Sequence, residues 1–495
     1  MRSSIITLKR RVIFGTLLFW SAVALFHIWL AVTNPYAAVN LVQQPYTTKV
    51  QQNQIVLTRH FKLKSFGNNS AGLLGYYKSG FLILQNTYFG SKPASSTSAP
   101  GIITDIHALR FDPTQPYLIS GDSFSVLYPR NLGVFYNSIL NPYTAFNQQD
   151  WENRQRIYLQ STAYALDAFA EQKKLTTTIV PIGQRDVLLT EVHPGSVPSD
   201  SLYGILFALQ ALQDPTYYPS PAPYQLQTVT AARKLTAEHR QDLRTLLQVY
   251  LAQVQDPSSG LVRADAKLAS ARDGATRRSS FYDTVILWKT LSLASELGVQ
   301  YTSTESLDRL HDTILQKYWN ETEGHFLDDL TPGPLDQNYS SDWLIALPTG
   351  FLQPGRQVDL QYLTRSVTFI RQHHLAEPFP IKYRAGQVAN APWAVRTFVS
   401  NYGGDAIWSY WGSEYIDLLS ELGTATHQAD YSAEATRHIF TYRQKMIETR
   451  GFPETFTAQG TFLHTVVYES ICQTGWVVQF EDALWHSGVS MEQLQ

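Results

Sequence analysis

The strongest constraint in this chain is a recurrence. Six times a polar, often Gly-bearing lead runs into an aromatic or apolar helix start: at Arg130 (YPRNLGVFYNSIL), Asp200 (SDSLYGILFALQAL), Asp283 (FYDTVILWKTLSLASELG), Asp342 (SDWLIALPTGFL), Asp405 (GGDAIWSYWGSEYIDLLSELG) and Trp476 (QTGWVVQFEDAL). The starts lie 70, 83, 59, 63 and 71 positions apart, intervals that each hold one helical hairpin with its connecting loop. Helices such as those from Trp151 and Ala237 fall between them, and their charged faces suit an outer, solvent-facing ring. The pattern predicts a mainly α fold, an (α/α)6 toroid of six helical hairpins with function in the loops at one end. An open helical solenoid is the alternative arrangement of the same units.

Upstream the chain reads differently. Val12 to Thr33 is an uncharged, largely apolar run of about one bilayer thickness. Arg2, Lys9, Arg10 and Arg11 precede it and no Lys or Arg follows until Lys49, which predicts a cytoplasmic N-terminus and an exported remainder. A cleaved signal peptide is the rival, because YAAVN from Tyr36 offers small residues, but its apolar core would be shorter than this one. The expected organisation is a cytoplasmic segment over 1–11, a transmembrane signal anchor over 12–33, a short extended or β lead segment over 40–121 and the toroid over 122–495. In the lead, QIVLTRHFKL alternates like a strand and GSKPASSTSAPG reads as a breaker-rich loop.

Composition narrows the function. With 44% hydrophobic and 16% charged residues, the chain can bury a large core and is not a disordered tail. Its 11 Trp, 28 Tyr and 24 Phe exceed what a core needs and suit ring-stacking on a flat ligand such as a sugar. A net charge of −2 without a basic stripe argues against a nucleic-acid partner, and none is expected. Cys472 is the single cysteine, and His373 and His374 diverge if helical, so no metal and no cofactor is expected.

Two loops carry the chemistry: SARDGATRRSSFYDTVILWKTL from Ser270 and GFPETFTAQG from Gly451, with carboxylates Asp273 and Glu454. Glycoside hydrolysis needs one carboxyl kept protonated and one kept ionised, so two similar groups must sit in different surroundings. The chain resembles the six-hairpin α/α-barrel glycoside hydrolases, which include glucoamylases, trehalases and processing α-glucosidases, over roughly Asp122 to Leu484. LYPRNLGVFYNSIL resembles the first inner-helix motif, with Arg130 kept and Asn131 where the family has Asp. ARDGATRRSSF resembles the general-acid loop, matched by Asp273 and Arg277. GGDAIWSYWGSEYIDLL resembles the late aromatic helix, and GFPETFTAQG followed by QTGW resembles the base segment.

The resemblance implies an inverting hydrolase with Asp273 as acid and Glu454 as base, and Arg130, Asn131, Arg277, Asp405, Trp408 and Trp411 as sugar contacts. Asp283 is the rival acid, although an Asp there also suits a first helical turn, and Glu469 is the rival base. The expected function is a membrane-anchored, extracytoplasmic hydrolase of an oligosaccharide or glycoconjugate. A non-catalytic glycan-binding or polysaccharide-assembly toroid and another toroid enzyme, such as a lyase, stay open. Asn131 brings no charge to the pocket, which argues against exo-acting glucoamylase or trehalase specificity and leaves hydrolysis open.

Overall fold

Whether the six starts close a ring is decided by which helix packs on which. The computed structural model describes residues 37–40, 44–60, 64–67, 81–82, 84–89, 92–121, 125–133, 135, 137–182, 185–189, 196–218, 221–271, 277–331, 338–386, 399, 402–465 and 468–495, with residues 15, 17–25 and 78 as short helical pieces. The helices are α1 (Ala99–Arg110), α2 (Gln148–Gln172), α3 (Ser201–Ala211), α4 (Val229–Glu238), α5 (Arg240–Val254), α6 (Phe281–Glu296), α7 (Thr304–Tyr318), α8 (Gln357–Gln372), α9 (Ser409–Thr426), α10 (Ala429–Thr449) and α11 (Val477–Ser487). Short 3-10 turns lie at Pro129–Leu132, Asn137–Leu140, Ser341–Ala346 and Met491–Leu494.

The inner elements pack in chain order. The Pro129–Leu132 turn meets α3, α3 meets α6, α6 meets the Ser341–Ala346 turn, and that turn meets α9. Helix α9 then packs on α11, which returns to the Asn137–Leu140 turn and closes the ring. Closure requires tight approaches: a Cβ on Gly204 of α3 would run into the Pro129 carbonyl. Two inner positions are 3-10 turns, because Pro142 and Pro348 follow closely and cannot continue a helix.

Burial separates the two rings. Every residue of α3 except Gln210 is buried, whereas α7 buries only Ile314 and Tyr318 and turns its charged side chains outward. Helices α2, α5, α7, α8 and α10 form outer positions, and the sixth comes from an unexpected place. Helix α1, within the stretch read as an extended lead, packs against α10 and the C-terminal Met491–Leu494 turn. Its start is encoded by Ser98, whose side chain accepts from Gly101 N, and by Pro100 in the first turn. The core is aromatic: Phe135 lies 4.7 Å from Tyr410 and 5.0 Å from Trp476 between ring centroids.

The described lead also holds a helical stretch at 81–82 and 84–89, and before it two pairs of β-strands. Strand β1 (Ala37–Asn40) joins β4 (Lys64–Gly67), β5 (Thr178–Ile182) and β6 (Arg185–Leu189) in an antiparallel sheet of order β4-β1-β6-β5. Strands β2 (Tyr46–Gln51) and β3 (Gln54–Arg59) form a hairpin whose turn residues Gln52 and Asn53 both have positive φ. The hairpin rides on α2 through Thr48 donating to Gln160 (2.6 Å) and Arg59 paired with Asp167 (2.9 Å). The lead is thereby built into the toroid's own sheet and outer helix. Of the apolar run Val12–Thr33, residues 15 and 17–25 are helical and the remainder lies outside the described residues. Among the described residues no helix is long and apolar enough to cross a membrane.

Candidate active site

The N-terminal ends of the inner elements open at one end of the toroid, and the loops that enter them converge there. Glu454 is fixed first through its backbone: Ser409 N, at the start of α9, donates to its carbonyl (3.1 Å), and its own N–H donates to Ile471 O (2.8 Å). The next residues, Thr455 and Phe456, pair antiparallel with Trp408 and Ile407. The side chain, partly exposed, is then gripped at both oxygens. Tyr402 donates to Oε1 (3.1 Å) and Tyr468 to Oε2 (2.6 Å). Burial, and then the Glu454 charge, hold the Tyr468 phenol well above its ordinary range, so it stays a donor. Two phenolic donors favour the ionised carboxylate.

Tyr468 is itself braced by the lead segment. Its loop turns back on itself through Thr465 N donating to Tyr468 O (2.7 Å) and Ser470 N donating to Leu463 O (2.9 Å). The following residue, Glu469, is held at both backbone groups: Asn86 donates to its carbonyl (2.8 Å) and its N–H donates to Thr87 Oγ1 (3.1 Å). The Glu469 side chain pairs with His464 (2.9 Å), which gives this rival base a structural partner.

A second centre forms around Arg277. This guanidinium lies 2.8 Å from Asp342, 3.1 Å from Asp328 and 3.6 Å from Asp283, and it donates to Ser270 Oγ (3.0 Å). Burial alone would lower the Arg277 pKa, but Asp342, Asp328 and Asp283 outweigh it and hold it above its ordinary value. Arg384 adds a second cation at Asp328 (3.3 Å), and Tyr383 donates to Asp342 (2.6 Å). From there aromatic rings continue to Glu454: Tyr383 to Trp408 at 5.3 Å, Trp408 to Tyr402 at 4.9 Å, and Tyr402 to the carboxylate. The third, fourth and fifth starts and the loop before the sixth thus contribute to one contiguous wall.

Asp273 lies outside the described residues, but both flanks of its loop are tied to this wall. Ser270 O accepts from Arg130 (2.5 Å) and Ser270 Oγ from Arg277. Arg130 also stacks on Tyr128, 4.7 Å from its ring centroid, and Asn131 donates to Ser120 (3.4 Å). Asp283 is 1% exposed and accepts from Ser199 (2.7 Å), while its N–H is capped by Ser280, so it serves the first turn of α6. Asp405 is partly exposed, and its Oδ1 has no hydrogen-bond partner among the described residues. Trp408 donates its indole N–H to Tyr402 O (2.9 Å) and backs the wall. Trp411 corrects the expectation of a sugar contact: at 1% exposure it packs among Phe135, Tyr282 and Tyr410 in the core.

Tyr402, Tyr468, Asp328, Tyr383 and Arg384 were not anticipated. Tyr468 stands in VVYESICQ, a segment that reads as packing, and only the fold reveals that its hydroxyl reaches Glu454. Deeper along α9 and α11, Asp417, Asp482 and His486 bring ligand atoms within 4.8 Å of one another, a spacing that could hold a metal ion. The His486–Asp417 contact of 2.5 Å supplies an ion pair there without one. Burial opposes the imidazolium, but Asp417 and then Asp482 push the His486 pKa up to about 10.

No protein-family model matches the sequence, and no curated protein matches it. Among solved structures, the chain is similar to a rhamnosidase from Klebsiella oxytoca with rhamnose bound (TM-score 0.45, 13% identity, 92% of this chain and 81% of that one). It is also similar to a glycoside hydrolase family 15 glucoamylase from Hypocrea jecorina (TM-score 0.47, 10% identity, 86% and 73%). A third is the cellobiose 2-epimerase from Bacillus thermoamylovorans B4167 (TM-score 0.45, 11% identity, 84% and 99%). These likenesses are of overall fold.

Proposed function

We propose that the chain is a glycoside hydrolase acting by inversion on an oligosaccharide or glycoconjugate, held outside the cytoplasm by an anchor over residues 12–33. The observation that carries this reading is Glu454, a mouth carboxylate gripped at both oxygens by Tyr402 and Tyr468. Such a group is kept ionised and aimed, as a base that activates water must be. Asp273 is assigned as the acid, on a loop whose flanks are tied to Arg130 and Arg277. In an inverting enzyme the two carboxyls stand about 6.5–9.5 Å apart, leaving room for the water. Arg130, Asn131 and Asp405 are the polar groups offered to the sugar, and Trp408 backs the ring chain beside it.

The test is hydrolysis of a broad glycoside panel by the full chain, by Asp273→Asn and by Glu454→Gln. The expected result is turnover by the parent and a loss of at least about 1,000-fold in each variant. Hydrolysis that survives both substitutions would sink the assignment, and a parent that binds glycans but cleaves none would leave a binding toroid.

A further inference from the structure

Residues 81–82 and 84–89 form a helical stretch with two unlike faces. Leu82, Asn86 and Thr87 are buried, and the last two hold the backbone of Glu469 beside the Glu454 clamp. The opposite face is apolar and open: Phe81 is 55% exposed, Leu84 44%, Tyr88 65% and Phe89 84%. Phe81, Leu84 and Tyr88 follow a spacing of three and four, so these side chains share one stripe. Lys78 places its ammonium over the Phe81 ring, 5.7 Å from the centroid. Phe and Tyr rings beside a lysine are the composition of a helix lying in a lipid headgroup layer.

Chain length says what covers this stripe. Only four Cα–Cα steps, through Asn34, Pro35 and Tyr36, separate Thr33, the end of the apolar run, from Ala37, the first residue of β1. Fully extended, they span about 14 Å. Strand β1 lies in the sheet with β5, and β5 bridges at Ile179 to Leu127, on the segment that enters the first inner turn at the mouth. Ala37, where the proposed anchor would join the toroid, therefore lies at the mouth end, the same end at which the 81–89 stretch braces the Glu454 loop.

We propose that the mouth end of the toroid rests on the bilayer, with the Phe81, Leu84, Tyr88 and Phe89 face in the headgroup region. This rests on the anchor proposed above, and it is independent of whether the site hydrolyses glycosides. The contact joins the membrane surface to the catalytic wall through a single helix. Its outer side meets lipid and its inner side holds the loop that presents Tyr468.

The full chain is reconstituted into vesicles of phosphatidylethanolamine and phosphatidylglycerol and spin-labelled at Gln85→Cys on the exposed face, or at Tyr301→Cys beyond the far end of α6. Cys472 is buried and serves as the unlabelled background. Accessibility to oxygen and to a water-soluble nickel complex is then compared, and circular dichroism confirms that both variants fold. The proposal expects the label at 85 to favour oxygen several-fold over nickel and the label at 301 to favour nickel. Nickel-favouring labels at both positions would overturn it, as would loss of the chain from the vesicle fraction. Spin–spin broadening at 85 would overturn it in favour of a second copy of this chain. Glycoside turnover is not read, so a failed hydrolase assignment leaves each outcome decisive.

Discussion

Replacing Arg277 by Met keeps the length of the side chain and removes the charge on which three buried carboxylates converge. Asp342, Asp328 and Asp283 lie within 2.8, 3.1 and 3.6 Å of the guanidinium, and all four side chains are nearly inaccessible. Breaking a buried ion pair by deleting one partner costs about 3–5 kcal/mol, because the abandoned charge cannot return to water. Some compensation survives: Arg384 stays at Asp328, Tyr383 at Asp342, and Ser199 at Asp283. The loss is therefore placed at about 3–5 kcal/mol for the whole cluster rather than for each pair. With an unfolding entropy of about 2.1 cal/mol/K per residue, a folded region of about 450 residues loses roughly 1 °C per kcal/mol. The unfolding midpoint at neutral pH should then drop by about 3–5 °C. Scanning calorimetry at pH 7 is the assay. Arg277→Lys should fall between the parent and Arg277→Met, since an ammonium keeps the charge but not the fork. An Arg277→Met protein as stable as the parent at pH 7 would refute the view that this cation holds the wall together.

Other outcomes follow from the same geometry. Tyr468→Phe removes a donor from ionised Glu454, so the acid limb of the kcat/KM profile should move to higher pH, with about a 10- to 100-fold loss in rate read by steady-state kinetics. Asn86→Ala, which removes a donor to the Glu469 carbonyl, should move that limb the same way and add nothing in a Tyr468→Phe background; an equal further shift there would show that Asn86 does not act through Tyr468. Burial, then Asp417, raises the Glu421 pKa to about 8, with His486 opposing. A carboxyl raised in the folded state binds more protons than it does unfolded, so stability should fall as pH rises from the ordinary Glu range through about 8. Glu421→Gln should flatten that slope in pH-dependent denaturant unfolding.

The ring was legible because each inner start repeats one chemical solution. A short polar lead opens the pocket end, and an apolar, aromatic run must then be buried on all sides. That repetition held even where Pro142 and Pro348 reduced the inner helix to 3-10 turns. Helix α1 was missed for the opposite reason. Its start, Ser98 followed by Pro100, has the composition of a loop, and only its packing against α10 distinguishes cap from breaker.

The site was legible in parts. Arg277 stands among acidic inner starts in the sequence, and Asp283 and Asp342 do meet it, but Asp328 comes from a loop without a motif. Tyr402 and Tyr468 were unreadable because clamping Glu454 depends on two loops meeting, and no spacing within either loop encodes that meeting. Trp411 shows the reverse error, since aromatic richness marks core and binding surface alike.

The most direct measurement of the central claim is rescue of a deleted base. Once a hydrolysed glycoside is in hand, Glu454→Ala is assayed with and without azide, and the anomer of the first-formed product is read by proton NMR. The account predicts that Glu454→Ala is nearly inert in water, that azide restores turnover with inverted configuration, and that adding Asp273→Asn abolishes the rescue. A Glu454→Ala protein that keeps the parent's kcat/KM without azide would contradict it.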